Sequence, residues 1–272
     1  MTDSLLEAVA AGLRIFDLGR PMFQGMPQSP NHPQYWHALP RRHGDQYRPD
    51  GSSAANDIIV TGTHVGTHID SLAHVSFRGC LYGGADAAGE QAGGRFIKHG
   101  VHTIKPTLCR GVLLDIPAAL GIEECEPGYE ITPADLARAV GHHGVRPEPG
   151  NVVLVRSGWG GRFADGTESY IGRESGVPGA GEAGARWLAD TGALAVGADT
   201  IAFERLAPGS GHAVLPAHRL LLAERGVYII EALDLEELAA AAVREFTFIL
   251  IPLNLVGATG SPLRPLAVIA DA

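Results

Sequence analysis

The run from Thr63 to Val75 restricts this chain more than any other stretch, because His64, His68, Asp70 and His74 all fall within eleven positions. In a helix His64 and His68 would share a face, but Asp70 would be turned well away from them. In an extended segment all four have the same parity and project to one side, with Gly66 among them carrying no side chain. The pattern therefore predicts an extended segment. Neutral imidazole and carboxylate are the usual ligands of zinc and manganese, and they leave coordination positions open to water. A lone histidine is ordinarily a satisfied polar residue. Four titratable groups in an apolar-flanked stretch are different, since desolvation and repulsion would penalise them unless a cation compensates.

The rest of the chain narrows the classes of function. At 272 residues and 45 % hydrophobic it can bury a sizeable core, and it reads as one domain spanning 1–272. A formal charge of −9 with no Lys/Arg run argues against nucleic acid or an anionic membrane as partner and favours a small molecule. Cys80, Cys109 and Cys125 are odd in number and lack C-x-x-C spacing, so they read as reduced thiols. No basic segment followed by an apolar stretch opens the sequence, and no apolar run reaches the roughly 20 residues of a membrane span. The expected location is the cytoplasm.

Taken in order, residues 1–12 suggest a short amphipathic helix ended by Gly12, and Ile15 to Leu18 a strand. Pro21, Pro27, Pro30, Pro33 and Pro40 then interrupt everything to about Arg42. Met22, Phe23, Met26, Tyr35 and Trp36 make this an ordered loop rather than a linker, and such loops are commonly lids. Phe23 is thus a candidate pocket wall, with plain packing the alternative. Asp57 to Thr63 is a β-branched run that would deliver the histidine stretch as a strand, and Gly79 to Gly94 is a loop. Strands follow at Val112 to Ile116, Asn151 to Arg156, Leu194 to Ala198, Val227 to Glu231 and Phe246 to Leu253. Helices are expected from Thr132, as N-cap before Pro133, to Val140, then over Gly181 to Thr191, Leu215 to Arg225 and Leu235 to Val243, before a turn at Gly257 to Pro262. This is an α/β chain with a mixed sheet.

Several chemistries are absent: there is no G-x-S-x-G elbow, no H-E-x-x-H helix and no activated cysteine. A second cluster accompanies the first. His212 and His218 flank a helix start, and Glu231 ends the strand after it, so a helix running out and a strand returning could bring Glu231 level with His218. An exposed histidine and a capping glutamate are the alternative.

The motif His64-x-Gly66-Thr67-His68-x-Asp70-x-x-x-His74 resembles the signature H-x-G-T-H-x-D-x-x-x-H of the cyclase family of metal-dependent hydrolases, which includes bacterial kynurenine formamidases and isatin hydrolases. The likeness extends through Pro21 to Pro27, Gly79 to Gly84, Pro216-Ala217-His218, Gly226 to Glu231 and Gly257 to Pro262. It implies a mixed, partly barrel-like sheet flanked by helices, of the swivelling β/β/α type. It further implies that residues 1–45 form an N-terminal helix and a substrate-covering loop.

The resemblance also implies roles. His64, His68 and Asp70 match the metal ligands, and His74 matches the histidine assigned as acid/base. His218 and Glu231 match ligands of a second ion in the two-metal formamidases, where the aspartate bridges both ions. Isatin hydrolases are described with one manganese. Phe23 falls where formamidases place a stacking tryptophan, and Leu72 stands where the family often has proline. The longer chain and fuller proline loop lean toward isatin hydrolases.

The implied reaction is hydrolysis of an amide, in a lactam or an aryl formamide, by a metal-activated water, with manganese or zinc as cofactor. Homodimers or higher assemblies are implied as well. The rival enzyme reading is a lactonase, or a cyclase or dehydratase, acting on an oxygen-based substrate. The non-enzymatic reading is a metal-stapled binding protein, against which stands the open oxygen and nitrogen ligand set.

Overall fold

Consecutive apolar residues such as Val112 to Leu114 and Val152 to Val155 leave no polar face for water, which is the mark of strands covered on both sides. In the computed structural model, which describes residues 4–271, these runs lie at the middle of a nine-stranded sheet. The first three positions of the helix expected over 1–12 lie outside the described residues.

In chain order the strands are β1 (Leu13–Asp17), β2 (Trp36–Arg41), β3 (Asn56–Val60), β4 (His68–Asp70), β5 (Gln91–Ala92), β6 (Arg95–Phe96), β7 (Thr107–Asp115), β8 (Glu130–Ile131), β9 (Val152–Arg156), β10 (Gly179–Ala180), β11 (Ala195–Ala198), β12 (Tyr228–Glu231), β13 (Glu245–Leu250), β14 (Gly260–Pro262) and β15 (Leu266–Ala270). The main sheet has the order β1-β15-β13-β7-β9-β11-β12-β4-β14. Its centre, β7, β9, β11 and β12, is parallel, and every other pairing in it is antiparallel. The helices are α1 (Ser4–Ala11), α2 (Ile116–Leu120), α3 (Pro133–His143), α4 (Thr167–Ile171), α5 (Glu182–Asp190), α6 (Pro216–His218) and α7 (Glu236–Ala240). α6 runs on as wider π turns over Arg219–Arg225.

Two-residue periodicity divides the core. Val112, Leu114, Val153 and Val155 join one apolar cluster with Leu136 of α3, Leu188 of α5 and Leu220 to Leu222 of the π turns. Leu113, Val152 and Leu154 join a second cluster with Phe16, Ile69, Ile230 and Phe248. The sheet curls into a half-barrel flanked by helices, the mixed α/β architecture that the sequence predicts.

α3 shows local chemistry setting an element's start. Thr132 accepts a hydrogen bond from the backbone N–H of Asp135, whose carboxylate accepts one from Thr132, and Pro133 occupies the first turn.

The front of the chain departs from expectation. Asn56–Val60 is a strand, but it pairs with β2 in a separate ribbon, and all five of its residues are exposed. β-Branched composition favoured the strand without fixing which sheet it joins. β2 itself forms despite Pro40, where the register between the two strands shifts. The proline loop is ordered, as predicted, because Met26 packs with Val65, Trp159 and Tyr170, and Met22 and Tyr35 lie against that cluster.

Candidate metal centre

β4 lies between β12 and β14, and its register assembles half of the site. Glu231 stands opposite His68 on the β12 side, while Gly260 stands opposite Asp70 on the β14 side. Opposed residues of an antiparallel pair share a face, so Glu231 Oε2 comes 3.3 Å from His68 Nε2. His68 Nε2 also lies 3.6 Å from Asp70 Oδ1, and its Nδ1 meets the Gly66 carbonyl at 2.8 Å.

The strand is shorter than the parity argument required. Only His68–Asp70 is extended; His64 and His74 lie in the turns on either side, with Gly66 at φ +68° before the strand. The four side chains still converge, but bends bring them together rather than one alternating segment. His64 Nδ1 is 2.6 Å from Asp70 Oδ1, its Nε2 is 2.9 Å from Thr259 Oγ1, and its ring stacks on His74 at 4.0 Å between centroids. A Cβ on Gly260 would stand 2.6 Å from His64 Cε1, so the absent side chain there makes room for this imidazole.

His218 enters from α6. Its Nε2 lies 3.6 Å from Asp70 Oδ2 and 3.0 Å from Glu231 Oε1. Sequence reasoning missed the residue that aims it. Glu204, fully buried, accepts hydrogen bonds from His218 Nδ1 at 2.6 Å, from the backbone N–H of His218 at 2.9 Å and from that of Ala217 at 3.0 Å. This carboxylate leaves Nε2 to face the centre. The available signal was an acidic residue directly after the apolar stretch Ile201-Ala202-Phe203. Phe203 before Glu204 and Ala232 after Glu231 both hold left-handed backbone, at φ +54° and +53°, a strain of the kind stored at functional sites.

Two sets of ligand atoms result, His64 with Asp70 and His74, and Asp70 with His218 and Glu231, each within 4.8 Å. His68 adds its nitrogen between the two carboxylates. Asp70 Oδ2 and Glu231 Oε1 are buried and make no well-aligned hydrogen bond; their one close polar neighbour in common is His218 Nε2, at 3.6 and 3.0 Å. Buried carboxylate oxygens that converge with imidazole nitrogens and lack aligned donors fit a divalent cation. His74, assigned to proton transfer by resemblance, stands close enough to serve as a ligand too.

Burial opposes ionisation of Asp70, but His74, His64 and His68 outweigh it and hold the carboxyl far below its usual range. Glu231 is held down to about 2, burial again being overcome, here by His218 and His68. Burial works against the charged form of His218 and His68, yet Glu204 and Glu231 raise the first well above its usual value, and Glu231 raises the second. His74 goes the other way, down to about 4, because burial outweighs Asp70.

An outer frame ties these parts together. The Arg20 guanidinium donates to the carbonyls of Gly160 and Leu233, both at 2.9 Å. The Thr67 hydroxyl accepts from the Arg20 backbone and donates to Ala232, just beyond Glu231. Phe23 sits on a turn closed by a hydrogen bond from Met26, its side chain 48 % exposed, while Met22 and Met26 pack over Gly66. His32 of the same loop stacks on His64 at 5.2 Å. Among the described residues no helix is long and apolar enough to cross a membrane.

The Cyclase family model matches residues 16–205. A solved structure described as a novel cyclase is 30 % identical, covering 96 % of this chain and 89 % of its own, with a TM-score of 0.85. Isatin hydrolase A from Ralstonia solanacearum is 25 % identical over 99 % of this chain and 98 % of its own, with a TM-score of 0.73. An isatin hydrolase bound to the product analogue thioisatinate, 22 % identical over the whole of both chains at TM-score 0.73, is alike in fold. No curated protein sequence matches at a significant level.

Proposed function

The chain belongs to the Cyclase family, and from that premise we propose that it hydrolyses an amide bond in a small aromatic substrate, a cyclic amide such as isatin or an aryl formamide. The observation that carries this reading is the convergence of two buried carboxylates, Asp70 and Glu231, with the imidazoles of His64, His74 and His218 in two sets of ligand atoms that share Asp70. Full-length similarity to an isatin hydrolase supports the amide.

His64, His68 and Asp70 would hold one ion, manganese or zinc, and Asp70, His218 and Glu231 would suit a second. When bound, the ion supplies a Lewis acid for the substrate carbonyl and lowers the pKa of water. Asp70 and Glu231, ionised at neutral pH, provide the negative charge that a cation needs. Thr259 and Gly260 set the His64 ring, and Glu204 sets the His218 ring. His74, neutral because burial holds it down to about 4, accepts a proton from the attacking water at a ring nitrogen and passes it to the departing nitrogen. The proline-rich loop that begins at Pro21 covers the substrate, with Phe23 packing against its ring, and keeps bulk water out.

Homodimers or larger assemblies form in the cytoplasm on this reading. The exposed apolar ribbon, with Trp36 45 %, Ile58 49 % and Ile59 58 % accessible, is suited to burial between copies. The test is a substrate screen on protein reconstituted with each metal, using an aryl formamide, a lactam and a lactone. Ring opening of the lactam or cleavage of the formamide is expected; turnover of the lactone alone would replace the amide reading with the oxygen-substrate one.

A further inference from the structure

The proline-rich loop carries onto the centre one side chain that the proposed chemistry leaves unused. The His32 ring stacks on that of His64, with 5.2 Å between centroids and 25° between planes. Among the described residues its ring nitrogens have no hydrogen-bond or ion-pair partner, so the face of the ring and not its edge makes the contact.

The turn that bears His32 is held from within the loop. Gln28 Oε1 accepts a hydrogen bond from the Tyr35 backbone N–H at 3.0 Å, and Gln28 Nε2 donates to the carbonyls of His32 and Pro33 at 3.5 and 3.4 Å. The His32 backbone N–H donates to the carbonyl of Ser29, a buried residue. Beneath the turn lies Gly62, two residues before His64. A Cβ there would stand 3.1 Å from Pro33 Cδ and 3.6 Å from His32 Cβ, so the missing side chain lets the turn settle against the approach to the centre.

What the stack does follows from what else holds His64. Its Nδ1 meets Asp70 and its Nε2 meets Thr259, both in the plane of the ring. Two bonds at the edge define an axis through the ring and leave tilting about that axis to be resisted at the faces. A nitrogen that turns to a metal ion gives up one of those two bonds, and the faces then matter more. His74, at 4.0 Å between centroids, and His32 are the rings that lie roughly parallel to it. His74 belongs to the centre, whereas His32 reaches it from the loop.

We propose that His32 is a positioning residue for the metal ligand His64: the Gln28-clamped turn lays its ring on the face of the ligand, holds the ligand's plane and slows release of the ion. The inference rests on the reading of His64 as a ligand and on nothing about the substrate.

The test is release of zinc, or of manganese where that ion alone binds, from loaded full-length protein into excess chromogenic chelator, followed by stopped flow. Wild type, His32→Ala and His32→Phe are compared, and the melting temperature of each metal-free protein is measured alongside. His32→Ala should release the ion about three- to tenfold faster, the range that loss of one ring stack allows. His32→Phe keeps a flat ring without nitrogen and should stay within about twofold of wild type, with metal-free melting temperatures alike. A wild-type release rate in His32→Ala overturns the proposal. So does a His32→Phe rate as fast as that of His32→Ala, or faster release accompanied by a lower metal-free melting temperature, which would make the role structural. The metal reading itself fails by a different result, wild-type protein that takes up neither zinc nor manganese, and the inference falls with it.

Discussion

The two halves of the centre are positioned by different means. His68, Asp70 and Glu231 are set by ladder register, each opposed to a named residue on a neighbouring strand. His64 and His74 stand in turns flanking a three-residue strand, and their placement depends on single positions: Gly66 with its left-handed backbone, Gly260 with its missing side chain, and Thr259. A ladder distributes its constraint over many hydrogen bonds, whereas a turn concentrates it in one or two residues. The first half should therefore fail only when a ligand is removed, and the second also when its surroundings change.

The largest effect should come from the ladder half. His68→Ala should abolish activity and lower metal affinity by more than the roughly 100-fold ceiling typical of an outer partner, as read by elemental analysis of dialysed protein. Wild-type metal content in that variant would take His68 out of the ligand set. In the turn half, Gly260→Ala puts a methyl 2.6 Å from His64 Cε1 and 2.9 Å from the Ile69 carbonyl. It should weaken metal binding although no ligand is altered. An unchanged affinity would show that the turn half is as robust as the ladder.

Glu204→Gln should cost about 10- to 100-fold in metal affinity, because an amide can present its NH₂ group to His218 Nδ1 instead of an acceptor. A change below twofold would mean that α6 alone aims His218.

The smallest effect is on pH dependence. In metal-free protein His218 and His68 are raised above the usual value of about 6.5, so their contribution to stability is present below that pH and lost as pH rises through their folded values. His74, at about 4, acts in the opposite direction, and stability falls as pH drops from about 6.5 to 4. An ion must displace the protons on His68 and His218, so the melting-temperature gap between loaded and metal-free protein should widen from about pH 6 to 8. A constant gap would place those protons elsewhere.

What could be read in advance follows the same division. Local rules sufficed for α3, where Thr132, Pro133 and Asp135 make the cap, and for the buried strands, whose apolar runs are unambiguous. The motif residues could be named, but their geometry could not. Parity arguments assume an unbroken strand, and Gly66 bends the chain two residues before β4 begins. Glu204 was hidden because its partner His218 is fourteen residues away and only the tertiary fold brings them together. The Asn56–Val60 ribbon shows that β-branched composition reports extended backbone, not membership of the core.

Asp70 joins the halves, since its Oδ1 meets His64 and His68 while its Oδ2 faces His218. Metal content of folded Asp70→Asn protein, beside His64→Ala and Glu231→Gln, tests this most directly. The account predicts that Asp70→Asn loses all bound metal, while His64→Ala and Glu231→Gln each lose only part. Asp70→Asn protein that retains the wild-type metal content would contradict it.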